Sequence, residues 1–205
     1  LYSKPQGTVT VTQNSGDTAV ATVTPGTVTF TPGNWNVNQT ITVTGVDDQK
    51  DNLVGGNDYR STAIASAISS TDPAYNALNL ASFPVQVNDD ATEIASLVVD
   101  APVLMQVDET GVTTATFTVK LKTQPSATIT MPITVSNSNQ GQVSQSGTVI
   151  TTLAFNATNW NTPQTVTLTG RDADQVNNST AGNAWVDFTV SLGVPTVSGG
   201  TDVQY

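Results

Sequence analysis

The chain has 205 residues, six of them Lys or Arg and 16 Asp or Glu, giving a formal net charge of −10, with no His and no Cys. The absence of His and Cys excludes catalytic triads, His-based acid–base pairs, disulfides, thiol chemistry and most zinc or copper sites. Six scattered bases argue against nucleic acid, which needs clustered Lys and Arg, and no run reaches the roughly 18 apolar residues of a membrane-spanning helix.

Thr, Val, Ser, Asn and Gly are abundant, and Leu, Lys and Glu are few. β-Branched residues favour strands, while Asn, Gly and Ser favour turns, so the composition predicts an all-β protein. The first strand is predicted at Thr8-Val9-Thr10-Val11-Thr12, after the turn Pro5-Gln6-Gly7. Short strands follow at 19–23 and 27–30, on either side of Pro25-Gly26. After Asn34-Trp35-Asn36 the stretch 39–45 alternates strictly, which puts Ile41 and Val43 inward and Thr40, Thr42 and Thr44 toward water. A loop rich in carboxylates covers 46–58, a strand 59–68, a polar loop 69–76, and a closing strand 82–87.

Residues 91–96 form the predicted junction between a domain of residues 1–94 and a domain of residues 95–205. Leu97-Val98-Val99 opens the second. Asp108-Glu109-Thr110-Gly111 is a turn, and 114–121 is a strand with Ala115, Phe117 and Val119 on one face. From Leu121 the order of the first domain returns. Leu121 and Pro125 match Leu1 and Pro5, and Ile129 matches Val9. Phe155, Asn159-Trp160-Asn161, Gln164 and Gly170 match Phe30, Asn34-Trp35-Asn36, Gln39 and Gly45, each 125 positions on. Asp202 and Tyr205 match Asp72 and Tyr75. About seven short strands per copy, each ended by a turn signal, predict an antiparallel β-sandwich, with a barrel as the weaker alternative. By this correspondence the first sandwich lacks its opening strands and the second its closing strand. A start at Leu1, without Met or a basic–apolar leader, predicts a processed form or a fragment.

The recurring Trp residues, Trp35 and Trp160, are expected to close one end of a core; sugar-stacking platforms are the alternative. Asn38-Gln39-Thr40, Asn156-Ala157-Thr158 and Asn178-Ser179-Thr180 fit the glycosylation pattern, which arises by chance in a chain this rich in Asn and Thr.

Glu109-Thr110-Gly111 before Thr-Ala-Thr-Phe-Thr-Val, the Asn-Trp-Asn to Thr-Gly block, the Asp pair after it, Asp72-Pro73-Ala74-Tyr75 and the strand ending in Asn88-Asp89-Asp90 resemble Calx-β-like, Ig-like repeats. Such repeats occur in tandem in large bacterial secreted and cell-surface proteins. The resemblance covers nearly the whole chain. It implies an extracellular or cell-surface spacer or adhesion module, often stiffened by calcium, and no enzymatic activity.

Read from the residues, Asp47, Asp48, Asp51, Asp58, Asp72, Asp89 and Asp90 are candidate metal ligands. Loops after alternate strands meet at one end of a sandwich, and Ca²⁺ takes about six to eight oxygens in irregular geometry. Crowded carboxylates repel one another unless a cation or protons intervene. Solvated aspartates that favour turns are the plainer reading. The resemblance implies ligands at Asp47 and Asp48, at Asp89 and Asp90, and at Glu109, with Asp172 and Asp174 in the second copy. The family's Asp-Gly-Asp is Gly56-Asn57-Asp58 here and Gly182-Asn183-Ala184 in the second copy, which weakens both sites. A glycosidase pair such as Asp47 with Asp89 would need a cleft flanked by aromatics, which these loops do not supply. The expected function is a structural element of a long repeat protein: spacer, fibre or surface-layer module, with neighbouring repeats or like subunits head to tail. An adhesin domain gripping a glycan or protein ligand through its end loops is the alternative.

Overall fold

Alternating Thr and apolar residues pair as antiparallel strands throughout, and the protein is all-β. The computed structural model describes residues 1–54, 57–90, 93–172, 186–202 and 204–205. The chain divides into two units, one of Leu1–Asp48 and Asn52–Asp90, the other of Gln49–Asp51 and Ala91–Tyr205.

Unit 1 runs β1 (Val9–Ser15), β2 (Ala21–Thr24), β3 (Thr27–Phe30), β4 (Thr42–Gly45), β5 (Leu53–Val54), β6 (Asn57–Ser70), one helical turn α1 (Pro73–Asn76) and β7 (Phe83–Asn88). β1 lies between β3 and β6, and β6 also pairs with β5 and β7. β2 and β4 form a separate two-stranded sheet. The 39–45 stretch expected as a strand is paired only over Thr42–Gly45, whereas β6 extends past both ends of the expected 59–68. The loop expected at 69–76 contains the helical turn, nucleated by Asp72 as N-cap with Pro73 following. Val9, Val11, Val28 and Tyr75 form the buried cluster, with Leu1, Phe30, Ile41 and Ile68 half-buried around it.

Unit 2 runs β8 (Leu97–Asp100), β9 (Thr114–Leu121), β10 (Thr128–Val135), β11 (Gly141–Gln145), β12 (Thr148–Val149), β13 (Thr152–Phe155), β14 (Gln164–Gly170), β15 (Val190–Leu192) and β16 (Thr196–Ser198). One sheet has the order β12-β11-β14-β9-β8; in the other, β10 pairs with β13, β15 and β16. Phe117, Val119 and Leu121 of β9, Val143 of β11, and Val166 and Leu168 of β14 meet Ile129, Met131 and Ile133 of β10 and Leu153 and Phe155 of β13 in one core. The inner faces of two antiparallel sheets therefore close on each other, as in a β-sandwich.

Pro132 marks a local difference between the units. It stands in β10 where β1 has Thr12. Thr12 faces Ala67 in the unbroken β6. Proline cannot donate to a ladder, and opposite Pro132 the partner strand divides into β15 and β16. Between them, the Gly193 amide donates to the Pro132 carbonyl at 2.8 Å. A Cβ on Gly193 would sit 3.1 Å from the proline ring, so the smallest residue occupies the break.

Candidate functional site

The recurring block folds into the same corner in both units. The Asn34 side chain accepts from the Thr31 amide at 2.5 Å and donates to the Thr29 carbonyl at 3.3 Å. Gln39 donates to that same carbonyl at 3.3 Å. In unit 2 Asn159 accepts from the Asn156 amide at 2.7 Å and donates to the Ala154 carbonyl at 3.2 Å, and Gln164 donates to Ala154 at 2.7 Å. The carbonyls of Trp35 and Trp160 each accept at 2.8 Å, from the Leu1 terminal ammonium and the Leu121 amide. Both indoles are half-buried, and Trp160 packs against the unit 2 core. The motif is thus consumed by backbone and core contacts.

The Asp–Tyr pair does similar work. Asp72 accepts from the amides of Gln6 and Ala74, at 2.8 and 3.0 Å. Tyr75 donates to the Ser3 carbonyl at 2.5 Å. Asp202 accepts from the amides of Ser126 and Gln204, at 2.7 and 3.1 Å, and the Tyr205 hydroxyl donates to the Thr123 carbonyl at 3.1 Å. Each pair ties its segment to the stretch that leads into a corresponding strand, β1 in unit 1 and β10 in unit 2. Asp72 is 8% exposed, and both its oxygens hold backbone amides. It is a scaffold residue that sequence reasoning placed among the metal ligands, although its position before Pro73 carries the N-cap signal.

Within unit 1 the Asp89 carboxylate has two other candidates beside it. Oxygens of Asp48 and Asp89 lie within 4.8 Å of each other, as do those of Asp58 and Asp89. Asp48 follows β4, Asp89 follows β7, and Asp58 sits at the start of β6, where its carbonyl accepts from the Asp89 amide at 3.0 Å. Asn52, which sequence reasoning missed, holds the group together. Its Nδ2 donates to Asp48 at 2.9 Å and to Asp89 at 2.8 Å, and its amide donates to Asp89 at 3.2 Å. Arg60 pairs with Asp48 at 3.3 Å and also donates to the carbonyls of Ala19 and Val46. The donor set is oxygen throughout, which suits a hard cation. Arg60 and Asn52 already offset part of the repulsion between the carboxylates.

The other candidates are placed as follows. Asp47 and Asp90 are exposed. Asp51 belongs to unit 2, where it accepts from the Ala95 amide at 3.0 Å. Glu109 and Asp172 are exposed. Asp174 lies outside the described residues, as do Gly182-Asn183-Ala184 and the 178–180 glycosylation pattern. Beside Glu109, the turn depends on Asp108. Its carboxylate accepts from Thr110 Oγ1 at 2.7 Å, from the Thr113 amide at 2.9 Å and from the Val112 amide at 3.1 Å. Hydrogen bonds from Thr113 and Thr110, reinforced by Val112, hold its carboxyl down at about 2. An Asp followed by Thr and Gly is a local turn pattern, so this role was open to sequence reading.

Searched against protein-family models and curated proteins, the chain matches neither.

Proposed function

We propose that the chain is a structural module: two β-sandwich repeats of the Calx-β-like kind, serving as a spacer, fibre or surface-layer element outside the cell, with like neighbours head to tail. The observation that carries this reading is the duplicated corner. The residues shared by the two copies, Asn34 with Gln39 and Asn159 with Gln164, are committed to the same backbone carbonyls in each. A repeated binding protein would be expected to share exposed contact residues; this one shares residues that define a bend. Arrays of glycans and extracellular-matrix proteins, probed with the full chain, test the reading. No saturable binding is expected at micromolar protein. Saturable binding to one class would replace the spacer with an adhesin.

Calcium belongs to the same proposal. Asp89, together with Asp48 or with Asp58, would hold it. The ion would supply positive charge that offsets their repulsion and fixes the loops after β4 and β7. Extracellular modules bind calcium with dissociation constants on the order of 10⁻⁴–10⁻³ M. At tenfold excess over that, one site stabilises by roughly 1.4 kcal/mol. Melting in calcium against chelator should therefore raise the unit 1 transition, and Asp89→Asn should abolish the difference. Equal midpoints in the wild-type chain would remove calcium from the proposal and leave the Asn52–Arg60 network as the group's whole purpose.

A further inference from the structure

Asp72–Pro73 is the chain's one Asp–Pro bond, and the second copy lacks it, since Asp202 is followed by Val203. Such a bond carries its own reagent. An aspartate side chain can close a five-membered ring on its own carbonyl carbon, and the tertiary amide nitrogen of proline leaves more readily than an ordinary amide nitrogen. In the folded unit that reagent is tied down. Asp72 is 8% exposed. Its Oδ1 accepts from the Ala74 amide at 3.0 Å and its Oδ2 from the Gln6 amide at 2.8 Å. The carbonyl it would attack accepts from the amides of Tyr75 and Asn76, at 3.1 and 3.0 Å. The leaving group is fixed as well. Pro73 opens α1, its carbonyl accepts from the Ala77 amide at 3.2 Å, and Tyr75 is buried with its hydroxyl on the Ser3 carbonyl.

We propose that the Asp72–Pro73 bond is a conformation-gated cleavage site, broken from within by the Asp72 carboxyl once unit 1 opens and kept intact by the cap while it is closed. In the open chain a carboxyl oxygen of Asp72 bonds to the Asp72 carbonyl carbon. The bond from that carbon to the Pro73 nitrogen breaks, and the carboxyl proton passes to the departing nitrogen. Water then opens the cyclic anhydride, leaving Asp72 as a new carboxyl terminus and Pro73 as a new amino terminus, with one water consumed in all. In the closed unit the carboxylate must first give up two backbone amides. A proline that did leave would stay beside the anhydride, at an effective concentration high enough to re-form the bond before water acts. The site is independent of the spacer role, which needs no cleavage, and ligand arrays do not report on it.

The test holds the full chain in dilute formic acid, with and without urea, and follows its mass over time. In urea, cleavage is expected at Asp72–Pro73, giving fragments 1–72 and 73–205, and none is expected after Asp202. Without urea the same fragments should appear at least roughly tenfold more slowly, because a closed site is cut only in the fraction of time it is open. Pro73→Ala should remove the cleavage in urea, an arm that needs no folded protein. Equal rates with and without urea would overturn the gate, whether the bond is accessible in the folded chain or acid alone opens unit 1. Faster cleavage without urea would overturn it too, by making the Tyr75 and Asn76 amides activators of the carbonyl they hold. Undiminished cutting in Pro73→Ala, or an intact chain in urea, would overturn the chemistry itself.

Discussion

Units 1 and 2 carry the same strand sequence into different surroundings. β14 spans seven residues between two neighbours, and β4 spans four and, among the described residues, pairs with one. The alternation of Thr with apolar residues selects which side chains face inward. It does not decide how far they are buried. That depends on the lateral strand and on the sheet opposite, and β9 provides the first in unit 2. The eleven buried side chains of the unit 2 core compare with four in the unit 1 cluster, so unit 2 should be the more resistant to denaturant, each buried large side chain contributing roughly 1.5–3 kcal/mol.

The largest expected effect tests this asymmetry directly. Phe155 and Phe30 are equivalent, but Phe155 is fully buried and Phe30 half-buried. Phe155→Ala should cost roughly 3–5 kcal/mol in the unit 2 transition, and Phe30→Ala about half as much in unit 1. Equal losses in urea titration would mean that both units close to the same degree. A middle-sized effect concerns the tryptophans. Trp160→Ala removes a ring packed on the core and should cost about 3 kcal/mol, with Trp35→Ala costing less, about 1–2 kcal/mol. A Trp35→Ala chain of unchanged stability would make that indole a surface platform. The smallest effect sharpens the comparison at acid pH. Because the Asp108 carboxyl is lowered from 3.8 to about 2, its contribution is fully present above the ordinary value and is lost as pH falls through about 2. The acid titration of unit 2 should show this component between those two values, and Asp108→Asn should erase it.

Much of the fold was legible because its signals are local. The alternation in 114–121 placed Phe117 and Val119 on the buried face, and the spacing of Trp35 and Trp160 announced two copies. What sequence could not give were the non-local pairings. β4 is shorter than its alternating pattern because pairing with β2 begins only at Thr42. β6 is longer because Val9 and Thr10 of β1 pair with Ser70 and Ser69 at one end and β5 pairs with Asn57 and Asp58 at the other. The acidic group was read as a set of seven, yet within unit 1 it is Asp89 that gathers neighbours, Asp48 and Asp58 each beside it, and Asn52 and Arg60 complete the network. Which loop aspartates meet depends on strand order and register, and no single loop records that. Asp72 shows the opposite case, since its N-cap signal was present but its acidity drew the metal reading.

The corner in which Asn and Gln share one carbonyl has a consequence for how such chains diverge. Two amide side chains, five positions apart, fix the bend between an incoming Phe strand and an outgoing Thr strand. Between them Trp and Asn recur, and only the last two positions differ: Val37-Asn38 in one copy is Thr162-Pro163 in the other. A substitution at either amide would leave a carbonyl short of a donor and loosen the bend, whereas the differences at those last two positions leave the amide–carbonyl bonds in place. The spacing of those amides is therefore a yardstick by which further copies can be recognised after the strands around them have lost all likeness.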